Sequence, residues 1–307
     1  MVPFYTFYSM FGFQRVGDLI WQAADARSRG FLLGATAGRT TLLGEGLQHQ
    51  DGHSLVLAST VPAVQAYDPA YAYEVATIVK HGLERMYGGS HPDPDVFYYL
   101  TLYNENYPMP GKPMTAQPDG ASLEDAIVRG LYRWADAPEG KANYATVLFS
   151  GSAQGAARAA ADELAEHYGV GVDLWSATSY KLLREDALAV ERWNRMHPGQ
   201  EARTPLVQTL LGVTPGPIVA VTDCMKAVPD QVARFVPGRT FIPLGTDGMG
   251  RSDTREVLRA HFEIDMPNVV VAVLSGLLND GKIGADVVAD AIRRYDLDPD
   301  RVDPYVI

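Results

Sequence analysis

Strand-like and helix-like stretches alternate along nearly the whole chain, and that alternation leaves few folds open. Phe11, Val16, Leu19, Ile20 and Ala23 recur every three to five positions, so residues 5–29 read as one long helix that Gly30 ends. Residues 31–35 read as a short buried strand, followed by a Gly/Thr-rich loop over 36–54. Residues 55–58 and 63–67 are further apolar runs. A helix is expected from Asp68-Pro69 to Tyr87, stopped by Gly88-Gly89, and residues 96–103 are rich in β-formers. Beyond them, strands at 145–149, 172–177 and 218–221 alternate with helices at 153–168 and 180–195, and residues 254–295 read as mostly helical. Such a series implies an α/β fold, parallel sheets with helices on both faces.

At 307 residues the chain is about twice the ~150 of an ordinary domain. Residues 104–122, with four prolines and two glycines, are the natural linker. The expected division is 1–110, a connecting segment 111–144, and 145–307, the last expected to fold on its own. Net charge is −11, and neither half is basic: residues 1–150 carry 10 basic and 15 acidic side chains, residues 151–307 carry 16 and 22. This argues against binding the backbone of nucleic acid. No run of ~18 apolar residues is present to span a membrane, and no secretory signal is expected. The one cysteine, Cys224, precludes an intrachain disulfide; it reads as a small apolar filler and suits a reducing cytoplasm.

Gly-x-Gly-x-x-Gly, the P-loop, Gly-x-Ser-x-Gly and His-Glu-x-x-His are all absent. The strand-to-helix turn at 149–155 has the form of a phosphate-holding helix start, but such turns are generic. The one dense polar constellation is residues 39–54, RTTLLGEGLQHQDGHS, in which glycines surround Glu45, His49, Asp51 and His53. Three readings stay open on these residues alone. His49, Asp51 and His53 suit a metal; Asp51 suits a turn cap; histidines beside carboxylates suit proton transfer on an organic substrate. The aromatic cluster Tyr5, Phe7, Tyr8, Phe11 and Phe13 reads as core packing, or as Phe11 offering a ring face to a flat heterocycle.

The strings PFYTFYSMFGFQRVGD, RGFLLGATAGRTTLLGEGLQHQDGHS and YDPAYAYEVA, with ERWNRMHP and PLGTDGMGRSDTRE further on, closely resemble the homodimeric type of pyruvate dehydrogenase decarboxylating component, a thiamine-diphosphate enzyme of the transketolase type. The likeness runs over nearly the whole chain. It implies a transketolase-like fold: the second half of a pyrimidine-binding parallel-sheet domain, then a C-terminal βα domain. It implies oxidative decarboxylation of pyruvate, the end product of glycolysis, with the acetyl unit passed to lipoyl groups of an acyltransferase partner. The cofactor supplies the electron sink; the protein supplies position and proton transfer. By the resemblance, Phe11 stacks on the aminopyrimidine, and Tyr8, one helical turn earlier on the same face, points toward the substrate. His49 shuttles a proton, Glu45 orients or charges it, and Asp51 and His53 either support these residues from behind or form the turn. The family's Gly-Asp-Gly element for diphosphate and magnesium does not occur here, nor does its aminopyrimidine-activating glutamate ahead of the aromatic stretch. The diphosphate and metal site is therefore expected off this chain, in a homodimer partner or a missing N-terminal half. The chain reads as a C-terminal portion, inactive alone. The alternative is a non-catalytic remnant or one half of a split enzyme, with a metal hydrolase a distant third. Met249, where the family pattern has Phe, and Leu182-Leu183-Arg184-Glu185, which departs from Leu-x-Arg-Asp, are expected to lie away from the chemistry.

Overall fold

The computed structural model describes all residues, Met1–Ile307. Its first unit is a four-stranded, all-parallel sheet in the order β1-β2-β4-β3. The strands are β1 (Phe4–Tyr8), β2 (Phe31–Ala35), β3 (Val64–Tyr67) and β4 (Phe97–Leu102), interleaved with helices α1 (Gly12–Asp25), α2 (Ser54–Ala58) and α3 (Ala72–Tyr87). Here one sequence expectation fails. Residues 5–8 are not helical but form the edge strand β1, with Phe4 to Tyr8 in register with Phe31 to Ala35. The FYTFY segment is aromatic and β-branched, so it fits a pleated, half-buried surface better than a helix. The helix begins at Gly12, over which the Phe7 ring folds; a Cβ there would sit 1.9 Å from Phe7 Cε2.

Residues 103–122 run as extended coil. They lead to α4 (Leu123–Arg129), capped by Ser122 and closed by left-handed Gly130, and to β5 (Tyr132–Ala135). The second sheet has the order β5-β7-β6-β8-β9. It is built from β6 (Asn143–Phe149), α5 (Gln154–His167), β7 (Val170–Ser176), α6 (Tyr180–Met196), α7 (Leu206–Leu211), β8 (Ile218–Val221), α8 (Asp230–Ala233) and β9 (Phe241–Leu244), with helices α9 (Arg255–His261), α10 (Met266–Asn279) and α11 (Ala285–Arg294) following. This sheet is mixed, not wholly parallel: β5 pairs antiparallel to β7. The most apolar stretch, Arg255–Asn279, is two helices interrupted by Glu263 at φ 58°, and α10 is a core helix packed on α5 and β8.

Period-two alternation sorts the strand residues between layers. Val147, Phe149, Val172, Leu174, Val219 and Val221 face α5 and α10. Leu148, Trp175, Ile218 and Ala220 face the opposite way, into a layer that also holds Phe13, Leu55, Val64, Phe97 and Tyr99 from the first sheet and its helices. The two sheets therefore share one hydrophobic core, packed around α1, α2 and α6 to α8. Trp175, Leu183 and Val207 of the second unit belong to this shared cluster.

Candidate active site

The carboxyl ends of both sheets meet at one seam, where ligands bind in parallel α/β folds. Tyr8 at the end of β1, Phe11 in the short 3-10 turn 9–11 and His49 in a second 3-10 turn, 47–49, converge there. The Tyr8 and Phe11 rings meet the His49 ring at 5.2 and 5.0 Å, both edge-on, and each other at 5.9 Å. Glu45 Oε2 lies 3.2 Å from His49 Nδ1, yet the geometry makes no hydrogen bond and Nδ1 is buried without a partner. The contact is thus an electrostatic neighbour relation, with Glu45 about half exposed. So the four residues singled out from the sequence come together, although Tyr8 reaches the cluster from a strand end and not from a helical turn. The exposed Arg15 already covers a face of Phe11, its guanidinium carbon 4.2 Å from the ring centre, so a flat heterocycle stacking there would displace it.

Asp51 and His53 do other work. Asp51 Oδ1 accepts from the amides of His53 and Ser54, closing the turn that leads into α2, and His53 Nε2 is 2.6 Å from Gln14 Oε1. No three His, Cys, Asp or Glu side chains converge as metal ligands. The turn at 149–155 is closed to anions: Ser150 Oγ is 2.6 Å from Asp68 Oδ2, Ser152 Oγ donates to Asp223 Oδ2, and Tyr103 fills the space beside Gly151.

Sequence reasoning missed the groups beneath the site. Asp223, fully buried, accepts from the amides of Arg39 and Thr40 and from the hydroxyls of Thr40 and Ser152. Burial pushes its carboxyl up to about 6 against these donors. Asp68, also pushed up by burial, accepts from Thr101 and Tyr103. Cys224, next along the chain, is a buried free thiol raised by desolvation, in keeping with a filler role. Arg39, buried, donates to the carbonyls of Thr246 and Gly248, and burial lowers its pKa while the Asp51 charge opposes that. Gln50 pairs with both backbone groups of Arg251. The segment 245–251, containing Met249, thus lies directly on the loop that carries His49. Thr36, at φ 75°, carries backbone strain uncommon for a β-branched residue, and its carbonyl accepts from Ser9, next to Tyr8. Paired buried polar residues leave no periodic trace in a sequence; only the run of small polar residues in TAGRTT hinted at them.

Comparisons with known proteins complete the assignment. Residues 1–110 match the pyruvate dehydrogenase E1 component middle domain, and residues 130–265 the transketolase-like C-terminal domain. The pyruvate dehydrogenase E1 component of Mycolicibacterium smegmatis is 52% identical over 299 residues, 97% of this chain and 31% of that protein. The chain corresponds to a pyruvate dehydrogenase E1 middle domain followed by a transketolase-like C-terminal domain. It spans about a third of the length of the curated relatives it matches. In three dimensions a transketolase from Leishmania mexicana superposes with a TM-score of 0.65 at 18% identity, covering 91% of this chain and 34% of its own. A split-gene transketolase described as an inactive β4 tetramer superposes at 0.62 with 18% identity, covering 90% of this chain and 77% of that one. Both share the expected transketolase-like fold.

Proposed function

We propose that this chain supplies the pyrimidine-side half of the active site of a thiamine-diphosphate-dependent pyruvate dehydrogenase, the decarboxylating component that hands an acetyl unit to lipoyl groups on an acyltransferase. The observation that carries the reading is the His49 cluster: an imidazole with one nitrogen buried beside Glu45, walled by Tyr8 and Phe11, in a unit that matches the E1 middle domain. The residues present fit the flat, weakly polar ring of the cofactor, which Phe11 would hold. They do not fit its magnesium diphosphate, for which no cluster of His, Cys, Asp or Glu ligands converges. Thiamine diphosphate, when bound, supplies the electron sink for loss of carbon dioxide. This chain's part is to orient and to move protons. His49 carries a proton to and from the substrate oxygen, Glu45 orients the imidazole from beside Nδ1, and Tyr8 positions the substrate. The diphosphate half comes from a homodimer partner or a separate N-terminal half, and the chain is inactive alone.

A second reading keeps the chemistry and changes the packaging: the chain is one half of a split enzyme. Both are tested by joining this chain, covalently or by co-expression, to the preceding two-thirds of the Mycolicibacterium smegmatis relative. Pyruvate-dependent reduction of an artificial acceptor is expected, and His49→Ala should cut it by roughly 10²–10⁴-fold with little change in melting temperature. Undiminished turnover in the variant rejects the role given to His49.

A further inference from the structure

Every residue placed at the reaction centre belongs to the first sheet, yet what holds the loop carrying His49 comes from the second. Gln50, immediately after His49 and 1% exposed, uses both ends of its amide on one residue 201 positions away. Its Nε2 donates to Arg251 O at 2.5 Å and to Leu42 O at 2.9 Å, and its Oε1 accepts from Arg251 N at 2.7 Å. Gly250 lets the strands of this contact close: a Cβ there would lie 2.6 Å from Gln50 Oε1 and 3.0 Å from Leu47 Cα. At the other end of the loop, the buried Arg39 spends its guanidinium on two carbonyls of the same segment, Thr246 and Gly248, instead of on a carboxylate. Between them, Asp253 N donates to Leu43 O at 3.2 Å and Met225 N to Gly52 O at 2.8 Å.

By contrast, the loop's own restraint at His49 is slight. His49 N donates to Gly46 O at 3.1 Å and Gln50 N to Leu47 O at 3.3 Å, one 3-10 turn preceded by Gly44 and Gly46. A turn of three residues entered through glycine has little stability of its own, so its conformation is set by what it is tied to.

We propose that Gln50 and Arg39 are positioning residues, through which segment 245–251 of the second sheet's unit holds the His49 imidazole in place. The catalytic consequence rests on the reading of His49 above; the mechanical claim does not. The test therefore has two arms. On the 307-residue chain, hydrogen–deuterium exchange is followed at the amides of 46–53 in wild type, Gln50→Ala, Gly250→Ala and the pair Arg39→Met and Arg39→Lys. Exchange is expected to rise at least tenfold there in Gln50→Ala, Gly250→Ala and Arg39→Met, with the amides of β6 to β8 still protected, and Arg39→Lys should restore most of the protection. Unchanged exchange at 46–53 in both Gln50→Ala and Gly250→Ala overturns the proposal, as does a rise spread evenly over the whole chain in every variant. In the joined enzyme, Gly250→Ala should lower kcat by roughly ten- to a hundredfold with KM for pyruvate nearly unchanged. A wild-type joined enzyme without activity refutes the functional reading and leaves the exchange arm to decide the clamp.

Discussion

Glu74 offers the sharpest test of how the two sheets are held together. It lies in the first turn of α3, wholly buried, and both carboxylate oxygens are fully used. Oε2 accepts from the amides of Ala70 and Tyr71, at 2.5 and 3.0 Å, and Oε1 from the hydroxyls of Tyr132 on β5 and Ser176 on β7, at 2.6 and 2.7 Å. One side chain therefore caps a helix of the first unit and receives two donors from the second sheet. In Glu74→Ala the four donors lose their acceptor in a dry environment. The Tyr132 hydroxyl can fall back on Tyr73, 2.8 Å away, which leaves two amides and one hydroxyl bare. At about 1–3 kcal/mol for each buried unsatisfied group, with some relaxation, the expected loss is about 4 kcal/mol. That is a large share of the ~5–15 kcal/mol holding a native protein together. Glu74→Gln behaves differently. Its carbonyl can take the two amides, and its amide can donate to Tyr132 and Ser176, whose hydroxyls rotate to accept. It also removes a buried charge that burial already disfavours, since desolvation raises the Glu74 pKa. Its cost should stay below about 1.5 kcal/mol. Urea denaturation at pH 7, followed by tryptophan fluorescence, measures both. Equal losses for Ala and Gln, or a loss under about 1 kcal/mol for Ala, refute the argument that satisfied acceptors, not charge, make this residue stabilising.

Three further outcomes follow from the same geometry. Phe11→Ala in the joined enzyme should weaken thiamine diphosphate binding by about 1–3 kcal/mol, the size of a stacked base on an aromatic ring; a fall in melting temperature with cofactor affinity intact would make Phe11 a packing residue only. Because the folded Asp223 carboxyl titrates near pH 6 instead of near 4, its contribution to stability is fully present below about pH 4 and is lost as pH rises through 6. Relative to Asp223→Asn, wild type should lose about 3 kcal/mol between pH 4 and pH 7, read from urea midpoints, and parallel curves would contradict this. Titration calorimetry of the 307-residue chain with thiamine diphosphate and magnesium should show at best millimolar affinity, roughly −4 kcal/mol, and micromolar binding would show that the diphosphate half is not needed.

Alternation of strand and helix patterns was enough to read the α/β class and most of the strands, and the string from Arg39 to Ser54 marked the loop that carries Glu45 and His49, whereas Tyr8 and Phe11 were picked out by the family resemblance. Both are local signals: buried parallel strands are continuous apolar runs, and a glycine-dense polar loop stands out in any context. Three things were not local. Residues 5–8 satisfy a helical spacing and a strand composition equally, and only the free edge of β2 decides for the strand. The shared core places Trp175 and Tyr99 in one cluster, an arrangement with no periodic signature in either segment. Arg39, Gln50, Asp68, Glu74 and Asp223 are polar residues that a sequence places on the surface; they are buried because partners that include groups of the other unit satisfy them, and a partner eighty or more residues away is visible only once the chain has folded.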